Sequence, residues 1–264
     1  MRPNQLLDIA INAALLAGEK IMEVYTSDDF EIVQKDDCSP LTLADREAHL
    51  LIDRLLESTQ IPVLSEEGIH LPFAERGMWK TFWLVDPLDG TREFISRNGE
   101  FTVNIALITS NKSIAGVVYC PVSKALYVGL VGLGAWKVVN PEPGCSLDWI
   151  SQHGVRLPMD HPKEAFTVAA SRSHMDEITV AFMEELKQFH PELKITRKGS
   201  SLKFCLLAEG TADIYPRFGP TMEWDTAAGH AIVKAAGKNI YHTDQQTEIH
   251  YNKENLMNPY FIAL

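Results

Sequence analysis

The apolar run Phe82-Trp83-Leu84-Val85 ends abruptly in Asp86-Pro87-Leu88-Asp89-Gly90-Thr91. A strand apolar at successive positions is covered on both faces, so the chain has to build layers around it. Pro87 and Gly90 break the run, and two carboxylates and a hydroxyl are expected on a turn at the strand's end. Carboxylates that near to one another are costly unless something positive lies between them. A hard divalent cation meets that need, because Mg²⁺ takes oxygen ligands and commonly shares them with phosphate groups. A second acidic segment, Trp224-Asp225-Thr226-Ala227-Ala228-Gly229, reads as the other half of the same site.

Composition limits the alternatives. With 264 residues, 45% of them hydrophobic, the chain can bury a core for one large domain or two modest ones. A formal net charge of -11 argues against a nucleic-acid surface, which needs clustered Lys and Arg. Cys38, Cys120, Cys145 and Cys205 form no C-x-x-C pair and suit a reducing cytosol. No stretch approaches membrane-spanning length, so a cytoplasmic protein is expected.

Leu6, Ile9, Ala13, Ala17, Ile21 and Val24 recur at helical spacing and predict a first helix over residues 4–25. A short strand over Glu31–Lys35 and a second helix from Thr42 to Glu57 follow. Pro62–Leu64 is a brief strand that delivers Ser65-Glu66-Glu67-Gly68. Beyond Thr91, runs over Phe101–Thr109, Ile114–Cys120, Ala125–Val131 and Ala135–Val139 predict an antiparallel meander. Asn140-Pro141-Glu142-Pro143-Gly144 is the best candidate boundary. After residue 165, strands over Phe166–Ala170, Leu193–Thr196, Ala212–Tyr215 and Asn239–Tyr241 alternate with helices over Asp176–Phe189, Ser200–Ala208 and Thr226–Ala236. The coarse reading is an α+β part, residues 1–145, packed on an α/β part, residues 146–264.

Asp86 and Asp89 are three apart, and the Leu88 carbonyl offers a neutral oxygen between them. Gly90 permits close approach of a ligand, and Thr91 adds a hydroxyl. Glu66 or Glu67 supplies a further carboxylate, and Asp225 opens a helix, where the dipole favours anions. Each fragment also has an ordinary structural reading: Asp225 as a helix cap, Asp-Gly as a turn, Glu66-Glu67 as a solvated pair, and Thr42 with Asp45 as a capping box. Their co-occurrence at strand ends and helix starts favours one shared site.

The chain resembles the inositol monophosphatase-like superfamily of metal-dependent, lithium-sensitive phosphatases, whose signatures are D-P-x-D-G-[ST] and W-D-x-[AG]-[AG]. Both stand intact at Asp86–Thr91 and Trp224–Ala228, with Ser65-Glu66-Glu67 matching the first acidic motif. The resemblance implies a layered αβαβα sandwich. It implies that Glu66, Asp86, the Leu88 carbonyl, Asp89 and Asp225 hold two to three Mg²⁺ ions, with Asp86 bridging two. It assigns Asp45 to orient Thr91, which with Glu66 activates the attacking water; Glu67 ranks below Glu66.

Gly199-Ser200-Ser201-Leu202-Lys203, Ala212–Thr221, Asn98–Ala106 and Ser171-Arg172-Ser173-His174 are similar to the bacterial 3'(2'),5'-bisphosphate nucleotidases within that superfamily. Ser200 and Lys203 flank a helix start, and the Arg217 guanidinium suits a phosphate. The likeness implies that both basic residues contact the nucleotide's other phosphate, with Tyr215 and His174 toward the adenosine. The ordinary alternatives are a surface lysine and an Arg217 ion pair with Glu223 or Asp213. The implied activity is release of the 3'-phosphate of adenosine 3',5'-bisphosphate as part of sulfur metabolism. The expected substrate-binding set is Glu66, Leu88, Asp89, Gly90, Thr91, His174, Ser200, Lys203, Arg217 and Asp225. No nucleic acid or stable protein partner is expected, and some relatives are peripheral on the inner membrane's cytoplasmic side. Rivals are an inositol monophosphatase or sugar bisphosphatase of the same fold, and a non-catalytic metal-dependent binding protein. A haloacid dehalogenase phosphatase, built on D-x-D-G-T, does not match the longer D-x-x-D-G-T spacing.

Overall fold

The computed structural model describes residues 1–27, 33–34, 40–69, 71–160, 162, 164–172 and 177–264. In chain order the elements begin with helix α1 (Pro3–Tyr25), strands β1 (Val33–Gln34) and β2 (Pro40–Leu41), and helix α2 (Leu43–Leu56). There follow β3 (Val63–Ser65), α3 (Phe73–Arg76), β4 (Thr81–Asp89) and α4 (Thr91–Ile95). Next are β5 (Thr102–Thr109), β6 (Lys112–Cys120), β7 (Ala125–Leu130), β8 (Gly134–Val139), α5 (Leu147–His153) and β9 (Val155–Leu157). The remainder is β10 (Thr167–Ser171), α6 (Glu177–Phe189), β11 (Lys194–Lys198), α7 (Leu202–Glu209), β12 (Tyr215–Arg217), α8 (Glu223–Ala235), β13 (Ile240–His242) and β14 (Phe261–Ala263).

A seven-stranded sheet in the order β3-β4-β5-β6-β7-β8-β9 forms the centre, antiparallel except for the β3–β4 pair. Alternation along β4 and β5 sends Trp83, Val85, Val103, Ile105 and Leu107 to one face, where they meet α1 and α2. Phe82, Leu84, Ala106 and Ile108 go to the other face, against α7 and α8. Both faces are therefore dry, which is why these strands read as unbroken apolar runs.

Beyond α7 and α8 lies a second layer of strands, a parallel β10–β11 pair and an antiparallel β12-β14-β13 group, joined by a bridge between Val168 and Ile214. Met183 of α6 packs on Val168, Ile214 and Ile262 to close the outside. The order of layers is helix, sheet, helix, sheet, helix, the αβαβα sandwich expected. Among the described residues no helix is long and apolar enough to cross a membrane.

Several local expectations change. β9 and α5 lie beyond the Pro-Gly stretch at 140–144, yet β9 completes the large sheet by pairing with β8. The strand expected at Ala212–Tyr215 runs instead over Tyr215–Arg217, paired with the C-terminal β14, which the sequence reading did not include. Of the Glu31–Lys35 strand, Val33–Gln34 pair with Pro40–Leu41; the rest lies outside the described residues.

Helix α8 seats on the sheet through absent side chains. A Cβ at Gly116 would lie 2.3 Å from the Ala228 carbonyl oxygen, and one at Gly129 would lie 2.6 Å from the Ile232 Cα. Gly116→Ala is expected to cost about 1–3 kcal/mol by denaturant unfolding, the usual range for overpacking. An unchanged midpoint would contradict this close seating.

Candidate active site

Residues three apart on a regular strand face opposite sides of the sheet. The pairing of β4 with β5 shows why Asp86 and Asp89 nonetheless serve one cavity. Asp86 is opposite Asn104 and Asp89 is opposite Thr102, so three steps on β4 match two on β5. The extra residue is a β-bulge, which re-aims the second carboxylate to the side of the first. The sequence reading put this segment on a turn after the strand; the strand instead runs on to Asp89. Pro87 sits inside the bulge, where the ladder is already interrupted. The Leu88 N–H donates to Asp86 Oδ1 at 3.1 Å and fixes that carboxylate. Gly90 then turns the chain at φ +96, with the Glu100 carbonyl oxygen and Ser200 Cβ each 3.3 Å from where a Cβ would stand.

Parallel β3 leads into Glu66, whose N–H donates to the Val85 carbonyl at 3.0 Å. Asp225 is the third residue of α8, and its Oδ2 accepts from the Met222 N–H at 2.8 Å. It is thus inside the first turn and completes a cap around Met222, a correction to the expected helix start at Thr226. Oxygen atoms of Glu66, Asp86 and Asp225 all lie within 4.8 Å of one another. Asp89 stands beside this trio, accepting from Asn104 Nδ2 at 3.2 Å. Burial first, then Glu66, Asp89 and Asp225 as neighbours, push the Asp86 carboxyl well above the usual range. Burial, Asp89 and Glu66 do the same to Asp225. Burial raises Asp89 as well, opposed by Lys203 and by hydrogen bonds from Asn104 and Ser201. An all-oxygen set of crowded carboxylates fits a hard divalent cation, whose charge would reverse these shifts.

Thr91 Oγ1 donates to Asp45 Oδ1 at 3.1 Å. The other Asp45 oxygen accepts from the Thr42 N–H at 2.7 Å and from the Thr42 hydroxyl. The capping box and the functional reading of Asp45 therefore hold together: the cap is what aims the carboxylate at Thr91. Burial raises the Asp45 carboxyl to about 6 against its hydrogen bonds from Thr42 and Thr91.

A cavity of about 430 Å³ is lined by Glu66, Asp86, Leu88, Asp89, Gly90, Thr91, Ser200, Lys203, Arg217 and Asp225, among others. Asp45 reaches it through Thr91, Glu67 does not line it, and His174 lies outside the described residues. Lys203 is buried, with Nζ donating to the Ser200 carbonyl at 2.6 Å and the Lys198 carbonyl at 3.3 Å, which excludes the surface-lysine reading. Burial lowers its ammonium to about 8 despite the opposing pull of Asp89. Arg217 Nη2 donates to the Pro220 carbonyl at 3.0 Å, while its buried Nε has no partner among the described residues. Glu223, a partner the sequence offered for Arg217, is instead taken by Lys253 at 2.6 Å. Ser200 precedes α7 rather than opening it, held at φ 43.

Sequence reasoning missed Asn104 and Ser201 as supports. Asn104 Nδ2 also donates to Ser201 Oγ at 3.0 Å, and Ser201 Oγ donates to the Asp225 carbonyl at 2.9 Å. Only the bulged register places Asn104 beside Asp89, and no local pattern announces that pairing. Glu93, Phe204, Thr221 and Thr226 also line the cavity.

Residues 2–263 match the model of the inositol monophosphatase family. The chain is 45% identical to the 3'(2'),5'-bisphosphate nucleotidase CysQ of Salmonella typhimurium over 259 residues, 97% of this chain and 98% of that one. It superposes on the crystal structure of CysQ from Bacteroides thetaiotaomicron with TM-score 0.91 and 48% identity, covering 99% of this chain and 97% of that chain. The inositol monophosphatase of Thermotoga maritima, 22% identical, shares the fold with TM-score 0.74, covering 97% of this chain and 91% of that chain.

If the carboxylates repel one another without a cation, Mg²⁺ should raise the melting temperature in proportion to the logarithm of its concentration above Kd. Asp86→Asn should remove that rise. An Asp86→Asn protein stabilised as much as the wild type would place the ion elsewhere.

Proposed function

The chain belongs to the inositol monophosphatase family, and from that premise we propose that it hydrolyses the 3'-phosphate of adenosine 3',5'-bisphosphate, yielding AMP and phosphate. One observation carries the choice of substrate. The cavity that holds the carboxylate group also holds a buried ammonium, Lys203, and the guanidinium of Arg217. A monoester has one phosphate to place, whereas a bisphosphate uses both charged regions. The 45% identity to the 3'(2'),5'-bisphosphate nucleotidase CysQ of Salmonella typhimurium supports the same assignment.

Glu66, Asp86 and Asp225, joined by Asp89 and the Leu88 carbonyl, would hold the cation, proposed to be Mg²⁺ in two or three copies. Such an ion neutralises phosphate oxygens and lowers the pKa of a nearby water. Thr91 donates its hydrogen bond to Asp45, so its oxygen lone pairs are left to accept one from that water. As the water's proton passes to Thr91, the hydroxyl's own proton passes to the ionised Asp45. Glu66 lines the same cavity and shares this work. Asp45 holds the hydroxyl in register, and its carboxylate has to be ionised to do so.

Two hydrogen bonds from Lys203 Nζ to backbone carbonyls leave its third proton for the substrate's second phosphate. Arg217 Nε, buried and unpartnered, costs about 1–3 kcal/mol unless a ligand atom accepts from it. Tyr215 and Phe204 line the remaining wall and offer apolar surface to the nucleoside. We place the reaction in the cytoplasm, where free thiols such as Cys120 and Cys205 persist.

Phosphate release from adenosine 3',5'-bisphosphate and inositol 1-phosphate, compared side by side, tests the reading. Nucleotide turnover is expected to need Mg²⁺, to stop with EDTA and to fall with Li⁺. A preference for inositol 1-phosphate would keep the metal site and overturn the substrate. Thr91→Ala is expected to lower kcat about 10²–10⁴-fold, the scale of a lost proton acceptor. Arg217→Ala should act mainly on KM for the bisphosphate, and an effect confined to kcat would contradict its assignment to the second phosphate.

A further inference from the structure

Glu100 does not line the cavity, yet it gathers four donors from the two segments that border it. Its Oε2 accepts from Arg172 Nε and from the Gly199 N–H, each at 2.8 Å. Its Oε1 accepts from Arg172 Nη2 at 2.8 Å and from Lys198 Nζ at 3.1 Å. The pair with Arg172 is the parallel, two-bonded kind that fixes geometry as well as charge. Burial works against the ionised form, but Arg172, the Gly199 N–H and Lys198 together hold the carboxyl down at about 2.

The position of these donors in the fold matters more than their number. Arg172 directly follows β10, while Lys198 ends β11, so Glu100 ties both strands of the parallel pair to the start of β5. Ser171 and Gly199, from the same two chain ends, line the cavity. A Cβ on Gly199 would stand 2.8 Å from the Glu100 carbonyl oxygen, so the two backbones are already in contact. The carbonyls of Lys198 and Ser200, on either side of Gly199, accept from Lys203 Nζ. A continuous path therefore runs from the Glu100 carboxylate, through the 198–200 backbone, to the Lys203 ammonium.

We propose that Glu100 is a positioning residue for substrate selection: by clamping Arg172, Lys198 and the Gly199 N–H, it sets the 198–200 carbonyls that aim Lys203 at the substrate's second phosphate. The inference rests on the bisphosphate reading above. It also gives the two cations nearest that segment, Arg172 and Lys198, a structural partner. Arg172 and Lys198 are already held by a carboxylate, which leaves recognition to Lys203 and Arg217.

The test compares adenosine 3',5'-bisphosphate with adenosine 3'-phosphate, which lacks the second phosphate, at saturating Mg²⁺. Glu100→Gln keeps the shape and an acceptor oxygen; Glu100→Ala removes both. Glu100→Ala is expected to raise KM for the bisphosphate about tenfold, with kcat changed less than threefold. Its kcat/KM for the monophosphate should change less than threefold, and Glu100→Gln should fall between alanine and wild type. Combining Glu100→Ala with Lys203→Ala should add little to Lys203→Ala alone, because both act on one contact. Equal losses on both substrates, or full additivity in the double variant, would overturn the positioning role. A wild-type enzyme with no preference for the bisphosphate would overturn the functional reading, and this inference with it.

Discussion

Crowding of buried negative charge is the constraint on which this structure depends. Glu66, Asp86 and Asp225 converge to within 4.8 Å, and burial together with neighbouring carboxylates forces the carboxyls of Asp86 and Asp225 toward the neutral form when nothing positive stands among them. A protein that folds into this arrangement commits part of its stability to a cation it has yet to bind. Each carboxylate is fixed by a different element: a parallel edge strand, a bulged central strand and a helix start. The large sheet and the helix layer packed on it bring those three together, so the signature fragments come from elements far apart in the chain.

Support for the reacting groups is built from backbone and from ordinary caps. The Leu88 N–H holds Asp86, the Met222 N–H is taken by Asp225, and the Thr42 cap aims Asp45 at Thr91. A residue with a clear local role thus carries a second one at the site. The bulge in β4 is the other economy of the design, since it lets a strand present two carboxylates to one side without leaving the sheet.

Much of this was legible in the sequence, and the parts that were not have physical reasons. Helical periodicity found α1 and α2, and the unbroken apolar runs found the meander, because both signals are local. The motif residues Glu66, Asp86, Asp89, Thr91 and Asp225 do line one cavity. The bulge stayed hidden, because Pro and Gly in that segment equally suit a turn. Strand β14 was missed because Phe261–Ala263 is three residues long and gains its place only by pairing between β12 and β13. Asn104 and Glu100 were within a quoted segment but had no stated role. Their partners are about 15 and 100 residues away, beyond the reach of any local pattern.

The central claim is that one cavity binds two phosphates by different means, carboxylate-held cations for one and Lys203 with Arg217 for the other. A crystal structure grown with Mn²⁺, AMP and inorganic phosphate, with the metal located by anomalous scattering, tests it most directly. The account predicts Mn²⁺ among Glu66, Asp86 and Asp225 with inorganic phosphate against it, and the 5'-phosphate of AMP on Lys203 and Arg217. Metal bound away from those carboxylates, or AMP seated with its phosphate far from both basic residues, would contradict it.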